Sequence, residues 1–262
     1  MILDRFRLDD KVAVVTGAGR GIGAASAIAL AEVGADVVLA ARTQSQLLAV
    51  AKEVRRRGRR AHVVQSDLSD PDAAAALAGN AMDEFGRLDV VVNNIGGGRP
   101  GPLGRSSTES LERAFRFNVS TTDALTRAAA EVMLRGDGGA IVNISSVIGR
   151  VAGRGFLAYG TAKAALTHYT RLSAADLSPR IRVNAVAPGT VLTSALRKLV
   201  GEGPMRERTE ASTPLRRIGD PQDVAAAVLY LATDASAYLT GKVIEVDGGL
   251  HALNVDLDLP DL

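Results

Sequence analysis

Tyr159 and Lys163 stand four residues apart in Tyr159-Gly160-Thr161-Ala162-Lys163 and carry the two side chains in this chain best matched for moving a proton. On a helix, residues at that spacing share a face, so phenol and ammonium can meet. A tyrosine ordinarily titrates near about 10, and a neighbouring cation favours the phenolate, which moves the group toward a useful acid/base range. Against a carbonyl, Tyr159 would then be the proton donor of a reduction. By themselves the five residues are better described as a common Tyr/Lys pair on a solvated helix face.

A second candidate lies near the N-terminus, in Thr16-Gly17-Ala18-Gly19-Arg20-Gly21-Ile22-Gly23. The stretch follows an apolar run and opens an alanine-rich helical pattern. Glycines there would let backbone approach a pyrophosphate, to which the helix N-terminus offers free N–H groups. A turn built only for tight strand-to-helix packing has the same composition. In a dinucleotide site, the residue at the end of the second strand faces the adenosine ribose: a carboxylate for free hydroxyls, a cation for an added phosphate. Here that stretch reads Leu39-Ala40-Ala41-Arg42-Thr43. Asp36 starts the same strand, and five residues at roughly 3.3 Å each leave it about 16 Å from the ribose edge. Arg42, with Thr43 beside it, therefore points to NADP(H) as the preferred cofactor, with NAD(H) possible. A surface arginine at the start of the next helix is the alternative. Arg20 is a weaker supporting cation, and Asp67-Leu68 falls where an adenine ring would rest.

Positioning these groups requires a regular frame, and the apolar pattern supplies one. Strand-like runs at 12–16, 36–41, 62–65, 88–93, 140–145, 182–186 and 243–246 alternate with longer helical segments. The alternation predicts an α/β domain with a parallel sheet, and continuous runs such as Val90-Val91-Val92 suit strands covered on both faces. The expected architecture is one Rossmann domain over residues 1–262, a doubly wound seven-stranded parallel sheet with helices on both sides. Ser69-Asp70-Pro71 and Asp220-Pro221 are helix starts. Residues 191–217 mix Gly, Pro, charge and apolar side chains and interrupt the alternation, as a lid or binding element would.

Composition narrows the function classes. Of 262 residues 47% are hydrophobic and 23% charged, which argues for a packed core, and 31 basic against 29 acidic residues give a net charge of +2 that does not imply nucleic acid. The basic run Arg55–Arg60 fits a solvated helix end. Cysteine is absent, and His62, His168 and His251 lack ligand spacing, so no metal site is expected. No basic leader precedes an apolar stretch, and the run at 224–232 is too short to span a bilayer; a soluble cytoplasmic protein without membrane association is expected.

Across roughly residues 8–250 the chain resembles the short-chain dehydrogenase/reductase family. The matches, in order, are Thr16-Gly17-x-x-x-Gly21-x-Gly23, Asn93-Asn94-Ile95-Gly96, Asn118 in Phe117-Asn118-Val119, Ser146, Tyr159-x-x-x-Lys163 and Pro188-Gly189. Ser146 precedes Tyr159 by thirteen residues, the family's spacing, which favours it over Ser145. The resemblance implies that Ser146 holds the substrate oxygen, Tyr159 transfers the proton, and Lys163 binds the nicotinamide ribose while lowering the tyrosine pKa. It further implies that Asn118 disrupts a helix and retains a water linking Lys163 to solvent. It makes Gly17, Gly19, Arg20, Gly21, Ile22 and Gly23 the pyrophosphate turn, and sets Asn94 and Gly96 on the adenosine side of the cofactor. Pro188, Gly189, Val191 and Thr193 would face the nicotinamide. Ile95 departs from the family's Asn-Asn-Ala-Gly pattern.

The implied reaction is reversible hydride transfer between a ketone and a secondary alcohol. Gly96-Gly97-Gly98-Arg99-Pro100, residues 191–196 and residues 213–223 resemble the bacterial 7α-hydroxysteroid dehydrogenase branch, which suggests a hydroxysteroid or another bulky apolar alcohol. A 3-oxoacyl-thioester reductase is the alternative enzyme, and a non-catalytic dinucleotide-binding regulator the alternative of another class. Family members pair the long helices, here near 108–135 and 158–177, in tetramers, so a homotetramer is expected. The apolar and acidic tail at about 251–262 could lie across a pocket or a neighbouring subunit, or fray.

Overall fold

The computed structural model describes residues 1–255, 257 and 259. Its elements run in the order β1 (Val12–Thr16), α1 (Gly21–Glu32), β2 (Asp36–Ala41), α2 (Gln44–Arg56), β3 (Ala61–Gln65), α3 (Pro71–Phe85), β4 (Val90–Asn93), α4 (Thr108–Phe115) and α5 (Thr121–Arg135). They continue through β5 (Gly139–Ile144), α6 (Leu157–Leu177), β6 (Ile181–Pro188), α7 (Ser194–Val200), α8 (Pro204–Ala211), α9 (Pro221–Ala232) and β7 (Val243–Val246).

Among the described residues the strands form one seven-stranded sheet in the order β3-β2-β1-β4-β5-β6-β7, and every pairing is parallel. Strand order reverses between β1 and β4, so the connections leaving these two strands diverge at their C-terminal ends and open a crevice. The apolar runs are continuous because alternate residues serve opposite layers. Ala13, Val15, Val90 and Val92 pack with Leu30 of α1, Leu47 of α2 and Val228 of α9. Val12, Val14 and Val91 pack on the other face with Leu77 of α3 and Leu125 and Met133 of α5.

The predicted helix over 108–135 is interrupted. Residues 116–120 form a π-helical turn between α4 and α5, where the Asn118 amide donates to the Ala114 carbonyl and competes with the helical ladder. The predicted irregular lid over 191–217 contains two short helices. The Thr193 hydroxyl caps α7 by accepting from the Leu196 amide at 3.3 Å, and Pro204 opens α8. The basic run at 55–60 is partly paired: Arg57 with Glu32 and Glu53, and Arg59 and Arg60 with Asp36. Among the described residues no helix is long and apolar enough to cross a membrane, and no cluster of His, Asp or Glu is placed to hold a metal.

Candidate active site

The crevice at the β1/β4 reversal is a cleft of about 720 Å³. One end is built by the glycine turn. Gly17 (φ +63°) and Gly21 (φ +55°) adopt left-handed backbone that favours glycine. A Cβ on Gly23 would stand 2.3 Å from the Gly17 carbonyl oxygen, so Gly23 closes the turn from below and does not itself line the cleft, whereas Gly17, Gly19, Arg20, Gly21 and Ile22 do. No side chain caps α1, which leaves its first N–H groups directed at the cleft. A pyrophosphate fits that backbone.

Beyond the turn, Arg42, Thr43, Asp67 and Leu68 form the outer part of the same end, together with Gln46 and Ser66. Arg42 is exposed at the rim, and its charge, after the Ser69 hydrogen bonds, helps hold Asp67 below the usual carboxylate range. Asp36 sits at the opposite edge of the sheet, level with Val12 and engaged by Arg59 and Arg60.

Asn94 lies behind the glycine turn. Its amide donates to the Thr16 carbonyl at 3.0 Å, tying β4 to the start of the turn. Gly96 is not on that side. A Cβ at Gly96 would come within 2.6 Å of Asn118 Oδ1 and 2.7 Å of Lys163 Nζ, so the loop after β4 carries it to the far end of the cleft. The two residues part because Asn94 turns back under β1 while the chain continues across α6. Gly98 presses on Tyr159 in the same way, with a Cβ only 2.7 Å from that of the tyrosine. These approaches give the Gly96-Gly97-Gly98 run a physical reason that its sequence alone does not display.

At this far end the four residues of the sequence motif converge. Lys163, 3% exposed, donates from Nζ to the Ile144 carbonyl at 2.8 Å and lies 5.8 Å from the centre of the Tyr159 ring. Asn118, fully enclosed, donates to the carbonyls of Gly97 (2.9 Å) and Ala114 (2.8 Å) and accepts from the Gly97 amide (2.9 Å). It braces the glycine loop, and among the four it alone is absent from the cleft lining. Ser146 and Tyr159 both open on the cleft and are hydrogen-bonded. The short turn at 147–149 is pressed onto α6 where Gly149 meets the Lys163 backbone, which sets Ser146 beside Tyr159.

Ser145 points away. Its hydroxyl donates to the Lys163 carbonyl at 3.1 Å and pairs with Thr167 at 2.8 Å, so it fastens β5 to α6. Beneath it Asn93 donates to Asn143 (2.9 Å) and Asn143 to Thr170 (3.0 Å), a buried amide ladder joining β4, β5 and α6 that keeps the site floor rigid.

The electrostatics differ from the sequence expectation. Burial pushes the Tyr159 phenol above its ordinary value, and the Ser146 hydroxyl opposes that shift. Burial also drives Lys163 down, to about 7. Desolvation of both groups, with Lys163 Nζ 5.8 Å from the centre of the Tyr159 ring, sets the direction of both shifts.

Pro188, Gly189, Thr190 and Val191 continue along the cleft from β6, and Thr193 crosses toward the glycine turn, 3.3 Å from a Cβ built on Gly21. An apolar stretch of the wall is formed by Ile148, Phe156, Leu196 and, from the C-terminal segment, Leu253 and Val255. Periodicity could not reveal these residues, since they come from separate loops.

A catalytic-type Tyr/Ser/Lys cluster at one end and an uncapped glycine-rich helix start at the other occur together in a family of known architecture. The family model described as enoyl-(acyl carrier protein) reductase matches residues 17–251. This chain belongs to the short-chain dehydrogenase/reductase family. Within that family it is 36% identical over 247 residues to the 7α-hydroxysteroid dehydrogenase of Escherichia coli, covering 94% of this chain and 96% of that one. An uncharacterized oxidoreductase of Mycobacterium tuberculosis is 59% identical over 263 residues, covering 100% of both chains. Among solved structures, a 7α-hydroxysteroid dehydrogenase complexed with NADH and 7-oxo glycochenodeoxycholic acid superposes with a TM-score of 0.90 at 36% identity, covering 96% of this chain and 98% of that one. This short-chain dehydrogenase/reductase is thus an oxidoreductase of the class acting on CH–OH and C=O groups.

Proposed function

We propose that the protein interconverts a bulky apolar secondary alcohol and its ketone with NADP(H) in preference to NAD(H), using Tyr159 as general acid and base. The observation that carries this reading is the sharing of one cleft by Ser146, Tyr159 and Lys163, the glycine turn and Arg42. When bound, the nicotinamide cofactor supplies or accepts the hydride. Every other part of the reaction falls to the chain. Gly17, Gly19, Gly21 and the α1 N-terminus would take the pyrophosphate, with Ile22 beside them, and Arg42 with Thr43 and Arg20 would take a ribose phosphate. Asp67 and Leu68 would border the adenine, and Pro188, Gly189, Val191 and Thr193 the nicotinamide end.

In reduction, the Ser146 hydroxyl donates to the carbonyl oxygen, orienting it toward Tyr159, whose phenolic proton completes the alcohol. Oxidation runs the same transfer backward, with the tyrosine oxygen as base. Burial raises the phenol and keeps phenolate scarce, and a nearby cation favours it, so Lys163 must be protonated when the phenolate forms. Asn118 holds the Gly97 loop that packs over Lys163, and Asn94 secures the glycine turn.

Among the described residues, Lys163 is the only charged one lining the end of the cleft that carries Ile148, Phe156, Leu196, Leu253 and Val255. That wall supports a neutral, apolar body such as a hydroxysteroid. Assembly as a homotetramer is proposed on the exposed Leu111 and Phe115 of α4, Leu134 of α5 and Leu157 and Leu172 of α6, and a cytoplasmic location accords with it.

The test is a spectrophotometric panel with NADPH and NADH side by side. Steroid ketones should be reduced with NADPH, and Tyr159→Phe should abolish turnover while sparing cofactor binding. An unchanged turnover number in that variant removes Tyr159 as the acid. Reduction of acetoacetyl thioesters with indifference to steroid ketones favours the 3-oxoacyl-thioester reading instead, and cofactor binding without turnover of any ketone favours a regulator.

A further inference from the structure

The C-terminal segment reaches the molecule's own cleft through Leu253 and Val255. Asn254 is 7% exposed and carries a side chain whose polar atoms are satisfied by two distant segments. Its Oδ1 accepts from the Thr190 hydroxyl at 2.6 Å. Its Nδ2 donates to the Thr213 hydroxyl at 2.7 Å, and that hydroxyl donates onward to the Thr209 carbonyl at 2.8 Å. Thr209 and Thr213 are themselves 1% and 3% exposed. The relay joins the start of the lid after β6, the end of α8 and the C-terminal segment, and every donor in it has an acceptor.

The residues on either side of Asn254 face the cleft. Leu253 and Val255 both line it, and Leu253 is seated over Gly153, where a Cβ would come within 2.6 Å of the leucine and 2.5 Å of Ile148. Farther along, Leu257 and Leu259 pass over Gly155, within 3.2 Å and 2.7 Å of a Cβ built there. Two glycines thus form a seat for the tail, and one amide fastens it.

We infer that Asn254 is a positioning residue that clasps the C-terminal segment to the lid, making Leu253 and Val255 specificity-determining residues of the cleft. The inference rests on the apolar end of the cleft being the substrate site. A bulky substrate reaches Tyr159 past a wall formed by the lid on one side and the tail on the other, and the clasp sets their separation. Were Asn254 only a stabilising core residue, its loss would affect large and small substrates alike. A clasp instead selects by size, because a small ketone does not reach the tail.

The test compares the wild type with Asn254→Ala, Thr213→Val, which keeps side-chain volume and removes the hydroxyl that accepts from Asn254 and donates to Thr209, and Gly153→Ala, which evicts Leu253 and leaves the clasp intact. Amide hydrogen exchange of the cofactor-free protein is read first and needs no substrate. In Asn254→Ala and Thr213→Val, exchange should quicken by about tenfold in both 249–255 and 205–215, but only in the former for Gly153→Ala. Steady-state kinetics follow with cyclohexanone and 7-oxo glycochenodeoxycholic acid. The KM for the steroid should rise about tenfold in all three variants, with kcat and the cyclohexanone constants within about twofold. Unchanged exchange in 205–215 for both clasp variants overturns the clasp, and equal shifts for both ketones overturn the specificity role. If the wild type turns over neither ketone, the reading of the cleft as a ketone site fails, while the exchange result still decides the clasp.

Discussion

Lys163 lies at the centre of the site, and its burial has a consequence that needs no substrate to measure. The side chain is 3% exposed, its Nζ donates to the Ile144 carbonyl at 2.8 Å, and desolvation brings its pKa from 10.5 to about 7. The folded value lies below the unfolded one, so between about pH 7 and 10.5 the unfolded chain holds more proton than the folded protein. Stability therefore rises with pH across that window. Lys163→Met retains an unbranched side chain without the titration, and subtracting its stability from that of the wild type cancels every other titrating group. From pH 7 to pH 9, two pH units at about 1.4 kcal/mol each, less the half-titration at the lower limit, amount to about 2 kcal/mol. Urea unfolding of the cofactor-free proteins should show the variant more stable at pH 7 and the gap narrowing by that amount at pH 9. A gap that stays flat from pH 7 to 9 would mean that the ammonium is as well solvated folded as unfolded.

Asn118→Ala leaves one amide and two carbonyls without their partners inside the protein; a loss of about 3 kcal/mol is expected, a fall of roughly 6–12 °C in Tm by scanning calorimetry, together with reduced kcat. Ser145→Ala should cost about 1 kcal/mol and spare turnover, whereas Ser146→Ala should lower kcat by about a hundredfold with Tm nearly unchanged; the reverse pattern would exchange their roles. Arg42→Asp should cut the NADPH-to-NADH ratio of kcat/KM by about tenfold or more, and Asp36→Asn should leave that ratio alone. Gly23→Ala should destroy cofactor affinity, measured by nicotinamide fluorescence, because its Cβ would stand 2.3 Å from the Gly17 carbonyl oxygen.

Much of the frame was legible because buried parallel strands leave continuous apolar runs. Val12–Thr16, Asp36–Ala41 and Val243–Val246 have the bounds expected from the sequence, and β6 extends past its predicted end to Pro188. The break at 116–120 was visible only through the resemblance, since the apolar pattern continues through Asn118. α7 and α8 escaped because each is short, their identity resting on one cap and one proline rather than on periodicity. The site motifs were legible as spacings. Their electrostatics were not, because the fate of a Tyr/Lys pair depends on water lost to both groups, and that follows from packing by distant segments. Gly96 was misplaced for a related reason: adjacency to Asn94 in sequence says nothing about a loop that crosses to another helix. The contribution of the C-terminal segment was equally hidden, since it depends on a glycine seat a hundred residues upstream.

The opposed hydroxyls of Ser145 and Ser146 bear on how such a protein can change. Successive side chains at a strand end alternate in direction, so one residue inserted or deleted within β5 would trade the hydroxyl beside Tyr159 for the fastening one. Loop segments away from the hydrogen bonds that join Thr190, Asn254 and Thr213 carry no such parity and can lengthen, shorten or drift. Natural variation in what the enzyme accepts should therefore accumulate in those segments, while the count of residues along β5 stays constant from one descendant to the next.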